Sequence, residues 1–115
     1  MAKKTGTGPA EVLGKHMKMS ELVSYQEGSV VSRTLIDKPA GTVTIFAFDE
    51  GQGLSEHAAP YDAMVHVLEG EGDLTLSGVV HSMKGGDFII MPANEPHELK
   101  AVKQLKMLLT MIRQP

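Results

Sequence analysis

The chain has 115 residues, a net charge of −3 and no cysteine. That length supports one domain around one core. The weakly acidic balance excludes an electrostatic footprint for nucleic acid, and the missing thiols exclude both a disulfide framework and a thiolate metal site. Any metal must therefore be held by imidazole, carboxylate or water.

In chain order, residues 1–18 are rich in Gly and Lys and read as a loose terminus. Lys3 and Lys4 are followed by no apolar stretch, so the segment does not read as a signal peptide. No apolar run is long enough to span a membrane, and the expectation is a cytoplasmic protein without a membrane partner. Ser20 is placed to cap a short helix running to about Tyr25. Residues 1–28 are thus expected to form a flexible N-terminus with a short helical arm, and residues 29–115 a single β domain.

From Ser29 the texture changes. Residues 29–36 and 42–48 are rich in β-branched side chains and are separated by Pro39-Ala40-Gly41, which reads as strand, turn, strand. Segments 63–68, 73–76, 79–83, 87–91, 96–100 and 104–112 continue the pattern, broken at Gly70, Gly72, Gly78, Gly85-Gly86 and Asn94-Glu95-Pro96. Short strands at such spacings predict an all-β sandwich or barrel. By alternation the core-facing residues are expected to be Val43, Ile45, Val65, Val67, Phe88 and Ile90. The last strand, Leu105 to Ile112, is apolar on both faces. Either a terminal arm or a second subunit would cover its outer side. Eight methionines stand against two tyrosines and three phenylalanines, and Met91, Met107 and Met111 read as adaptable core fillers rather than a copper site.

Two stretches carry a more specific signal. The first holds Gly51, His57, Ala59, Ala63 and Gly70; the second holds Gly86, Pro92, Asn94, His97 and Ala101. Their spacings resemble the two motifs of the cupin superfamily: Gly, five residues, His-x-His, three or four residues, Glu, six residues, Gly; then Gly, five residues, Pro-x-Gly, two residues, His, three residues, Asn. Alanine stands at the second His and at the Glu position, Asn94 replaces a glycine, and Ala101 replaces the asparagine. The loop between the motifs, 71–85, is similar to that of small microbial cupins. The resemblance, over about residues 29–112, implies an antiparallel β-barrel of jelly-roll type, also called a double-stranded β-helix, and a homodimer. Asn94 is a mild replacement because asparagine tolerates the left-handed backbone better than other side-chain-bearing residues.

In metal-binding cupins these motifs aim three His and one Glu into the barrel. The resemblance carries that role onto His57 and His97 alone, since Ala59 and Ala63 have no donor atom. A catalytic metal site usually has three protein ligands. His66 is a candidate third ligand, but if Ala63 faces inward then Val65 and Val67 do too, and His66 points out unless a bulge intervenes. Tyr61, at the bend after Pro60, could reach the barrel mouth. The cofactor expectation is one divalent ion (Zn, Fe, Mn, Ni or Cu) or none. His81 reads as a surface strand residue near a turn, His16 as part of the loose N-terminus with no specific role, and Glu50, Glu56, Glu69, Glu71 and Asp73 as solvated charge near turns.

Three functions stay open. The first is a small-molecule binding barrel anchored by His57, Tyr61 and His97. The second is a metal-dependent cupin enzyme, a dioxygenase or isomerase, using His57 and His97 plus a further ligand. The third is a filled scaffold, against which the paired histidines count, because buried polar groups are costly without a partner. A cavity beside His57 and His97 separates the first two from the third.

Overall fold

The computed structural model describes residues 11–113. Nine antiparallel strands follow one another: β1 (Val30–Lys38), β2 (Gly41–Phe48), β3 (Gly53–His57), β4 (Asp62–Glu69), β5 (Glu71–Leu76), β6 (Val79–Lys84), β7 (Phe88–Met91), β8 (His97–Ala101) and β9 (Leu105–Ile112). They form a five-stranded sheet in the order β1-β2-β9-β4-β7 and a four-stranded sheet in the order β3-β8-β5-β6. Apart from the hairpins β1–β2 and β5–β6, consecutive strands change sheets rather than pairing in simple meanders, which is the jelly-roll answer to exposed sheet edges. The hairpin β5–β6 closes through Ser77 and Gly78, at φ 49° and 82°. Two successive left-handed residues form the turn type whose twist matches that of its strands.

The helical arm expected over Ser20–Tyr25 is reduced to one 3-10 turn, Met19–Glu21, and no side chain caps it. The segment is too short to sustain an α-helix without a cap. The expected loose terminus lies partly outside the described residues, at 1–10. No helix among the described residues is long and apolar enough to cross a membrane.

The core has two parts. The space between the sheets is filled by Phe48, Val65, Val67, Leu74, Leu105 and Met107 with their neighbours. A second, smaller cluster lies outside the five-stranded sheet, where Leu22, Val23 and Tyr25 cover Ile45, Ala47, Leu68 and Leu108. This accounts for the doubly apolar β9. Leu105 and Met107 face the interior, while Leu108 lies under the N-terminal segment. Of the two coverings considered for that strand, the terminal arm is what covers Leu108.

Strand parity departs from expectation at two places. Phe88 and Ile90 are 62% and 58% exposed, whereas Met91 is buried and Ile89 packs on the interior cluster. All four residues of β7 are apolar, so its sequence carries no alternation. The pairing Ile89↔Val65 and Met91↔Ala63 decides the face instead. On β2, Ile45 is fully buried but beneath the arm, and Phe46 and Phe48 turn inward with rings stacked at 5.6 Å.

The arm is held by polar contacts as well. The Tyr25 hydroxyl donates to a Glu69 carboxylate oxygen at 2.7 Å. Lys106 donates to the Ser20 carbonyl, with its ammonium 5.0 Å from the Tyr25 ring centre. Nearby, Asp49 accepts from the Gly28 N–H at 2.7 Å and the Gln104 amide at 3.0 Å. The Gly28 bond leads in holding that carboxyl below its usual value.

Two outcomes follow for stability. Leu105→Ala, at a fully buried position, is expected to cost about 2–5 kcal/mol in chemical denaturation. Burial, reinforced by the Glu69 carboxylate, pushes the Tyr25 phenol above its ordinary 10.0. A raised folded value stabilises fully below pH 10 and loses that contribution as pH climbs toward the folded value. Denaturation measured between neutral pH and pH 11 should therefore show an alkaline decline that is shallower in Tyr25→Phe.

Candidate functional site

One end of the space between the sheets is built by the two motif segments. β3 and β8 pair so that His57 lies opposite His97 and Leu54 opposite Leu99. Between those pairs the register shifts, with two residues of β3, Ser55 and Glu56, opposing the single residue Glu98 of β8. Leu54 and His57 are three apart and would face opposite sides of a regular strand. The bulge brings both to the inner face, where they line the same cavity.

The two imidazoles meet edge to face with ring centres 4.4 Å apart. Each is held by the backbone two residues before it. His57 Nδ1 lies 2.8 Å from the Ser55 carbonyl oxygen, and His97 Nδ1 lies 3.0 Å from that of Glu95. A carbonyl only accepts, so each Nδ1 carries a proton and donates. In the neutral ring that leaves the lone pair on Nε2. Two neighbouring imidazoles with the same tautomer fixed the same way present two acceptors to one small space. Histidines that bind metals also commonly have their second nitrogen anchored like this.

The cavity beneath them has a volume of about 30 Å³, room for one water or one ion. Its walls are apolar: Leu54, Val65, Leu74, Leu99 and Leu109, with Met91 and Met107. His57 is exposed and His97 half-buried, so the rings sit at the mouth and the sulfur-bearing side chains below. Glu98 borders the cavity between His97 and Leu99, but its alternation sends the carboxylate to the outer groove of Asp73 and Lys100.

The mouth loops are joined through the backbone. The Asn94 N–H donates to the Ala59 carbonyl at 2.7 Å, and the Ala93 N–H to Asp62 Oδ1 at 2.9 Å. Asn94 has φ 70°, the left-handed conformation expected where the resembling motif has glycine.

Of the residues singled out from sequence, the structure brings His57 and His97 together. His66 is half-buried between Val65 and Val67, whose side chains face the interior, and pairs with Phe88 and Leu108 on the outer side of the sheet. The register shift of β4 falls after Val67 and leaves His66 on the outer side. Tyr61 does not line the cavity; the Arg113 guanidinium lies 5.9 Å from its ring centre. Met91 and Met107 were not read as site residues. The signal for Met91 was its position just before Pro92 in the second motif, opposite Ala63 across β4 and β7.

The four-ligand set of the metal-binding motif does not fit this chain. Ala59 lies beyond the end of β3, Ala63 is buried against Met91 and Met111, and neither has a donor atom. Among the described residues no group of three or more His, Cys, Asp or Glu is placed to hold a metal ion.

A small antiparallel jelly roll with a histidine pair at one mouth is the class of protein that fold and site define. The chain belongs to the cupin family: residues 44–113 match the family model described as Cupin domain. A conserved protein of unknown function from Streptococcus pyogenes is 32% identical, with a TM-score of 0.85 over 89% of this chain and 90% of that one. A cupin 2 conserved barrel domain protein from Leptotrichia buccalis is 40% identical, with a TM-score of 0.81 over 84% of this chain and 47% of its own length. A cupin superfamily protein from Desulfitobacterium hafniense shares the fold at 20% identity, with a TM-score of 0.85 over 98% and 100% of the two chains. No curated protein matches the sequence.

The backbone role of Asn94 is directly testable. Asn94→Ala, which keeps the left-handed φ but loses the side chain that tolerates it, is expected to lower stability by about 1–2 kcal/mol. Asn94→Gly should leave the thermal midpoint within a degree or two of wild type or raise it.

Proposed function

We propose that this protein is a binding barrel that takes a small ligand at the mouth through His57 and His97. The observation that carries the reading is the matched tautomer. Both Nδ1 atoms are engaged by backbone carbonyls at 2.8 and 3.0 Å, so both Nε2 atoms are left for a guest. The apolar walls supply burial and exclude competing water. A cavity of about 30 Å³ admits only a small group or ion, so anything larger would rest most of its bulk outside the rings. The cavity beside the pair counts against the filled-scaffold reading.

A metal-dependent dioxygenase or isomerase is the second reading. In its favour, His57 and His97 occupy two of the family's ligand positions. Against it, the chain has no third donor near them among His, Cys, Asp and Glu of the described residues.

The test is a screen of small polar compounds by ligand-observed NMR, repeated on His57→Ala and His97→Ala. The expected result is hits whose affinity falls at least tenfold in both variants, since each loses one of two acceptors. Hits that bind both variants as tightly as wild type would place the binding surface elsewhere. The enzyme reading predicts near-stoichiometric zinc, iron, manganese or nickel in untagged protein, read by elemental analysis.

We also propose that the protein pairs with a second copy through the outer face of the five-stranded sheet. Beyond the arm, that face leaves Phe88, Ile90 and Ile112 at 62%, 58% and 57% exposed. The registers His66↔Phe88 and Met64↔Ile90 join the first two through β4, and Ile112 lies at the end of the strip opposite the exposed Asp62. An exposed apolar strip of this kind is the sort of surface that a second copy can cover about a two-fold axis. Analytical ultracentrifugation should find a dimer that Phe88→Ser/Ile90→Ser converts to monomer; a wild-type monomer at micromolar concentration would overturn this pairing.

A further inference from the structure

The residues under the histidine pair say what kind of guest the cavity suits. Resting on the reading of His57 and His97 as the binding pair, we infer that the site is a coordination site for a monovalent soft cation, cuprous copper, with His57, His97, Met91 and Met107 as its donors.

Three observations lead there. The first is the donor set. Four side chains on one cavity can donate to a metal without losing a proton: two imidazoles and two thioethers. Thioether sulfur is a soft donor that favours Cu(I) over harder divalent ions, and imidazole accompanies either. The second is charge. The carboxylate position of the metal-binding motif is Ala63, buried, and among the described residues no Asp or Glu groups with the pair. All four donors are neutral, so the full charge of the ion would be carried against apolar walls. The cost of burying an ion rises with the square of its charge, about fourfold from one charge to two. A monovalent ion is favoured on that ground alone.

The third is size and depth. The cavity of about 30 Å³ is of single-ion size, far below the several hundred cubic ångströms of an ordinary organic-ligand pocket. Met91 and Met107 are 3% and 1% exposed, with the histidines above them at the mouth. An ion would enter past the imidazoles and settle against sulfur. Methionine has three rotatable side-chain bonds, so its sulfur can adjust to the ion without moving the strand that carries it. As sequence, these methionines look like the other core fillers. Their placement on the same cavity as the two imidazoles, across from them on the five-stranded sheet, separates them from Met83, which is buried in the same core and does not line the cavity.

The test is an anaerobic titration of the full-length, untagged protein with Cu(I) in competition with bicinchoninate. It is run on wild type, Met91→Leu, Met107→Leu, Met83→Leu and His57→Ala, with a parallel titration by Zn(II). Leucine nearly conserves methionine's volume, so folding should survive, and circular dichroism checks it. The expected result is one Cu(I) per chain, weakened at least tenfold by each cavity methionine substitution and by His57→Ala, and unchanged by Met83→Leu. Zn(II) should bind more weakly and ignore the methionine changes. Methyl resonances of Met91 and Met107 should shift on adding Ag(I) as a diamagnetic stand-in, while that of Met83 should not.

Cu(I) binding that both methionine variants retain would overturn the thioether assignment and leave the histidine pair standing. A drop in only one of them would overturn the four-donor set. Wild-type protein that takes up no Cu(I) would overturn the site as a copper site; the NMR screen with His57→Ala and His97→Ala then judges the binding reading separately.

Discussion

The register of β9 is the constraint on which the rest depends. This strand lies in the middle of the five-stranded sheet, paired to β2 on one side and β4 on the other, with apolar side chains on both faces. A slip of one residue would exchange every side chain between interior and exterior. In the observed register Leu105 and Met107 fill the interior and Leu108 meets the arm. Through β4 the same register sends Val65 in and His66 out, and through β7 it sends Met91 in and Phe88 out. The composition of the cavity and of the exposed outer strip are two faces of one alignment.

The second sheet adds what the first cannot. Its contribution to the site is the extra residue in β3, which turns His57 to the side already occupied by Leu54 and sets it beside His97. Bulges commonly re-aim side chains next to functional sites. Here the bulge works together with a repeated local bond, each imidazole donating to the carbonyl two residues before it. Backbone geometry therefore sets the position and tautomer of both rings, and the Asn94 and Asp62 contacts hold the loops that flank them.

Much of this was legible in the sequence. The breaks at Gly70, Gly78 and Asn94 and the β-branched runs placed eight strands to within two or three residues at their ends, and the paired motifs pointed to the family. β3 was missed, because Gly53-Leu-Ser-Glu-His57 has neither a β-branched residue nor an alternating pattern. The bulge was unreadable for a related reason: it is a mismatch between two strands, and a single strand's sequence contains half of it. Parity failed on β7 because four consecutive apolar residues suit either face. It failed in part on β2 because Ile45 is buried by the arm, a covering that alternation cannot distinguish from the interior. His57 and His97 were found because the motif spacing marks them; Met91 and Met107 were passed over because a methionine on a buried strand has an ordinary reason to be there.

The carbonyl anchors of the two imidazoles bear on how such a site can change over generations. A binding site whose rings were held by one another's side chains, or by the guest, would collapse when any member was replaced. In this fold the local backbone holds the rings, and alanine at positions 59 and 63 leaves the surrounding backbone bonds intact. Substitutions at the mouth can thus alter what lines it while the framework that presents the histidines stays as it was. The jelly roll separates the residues that maintain shape from those that line the mouth, and so leaves the second group free to vary.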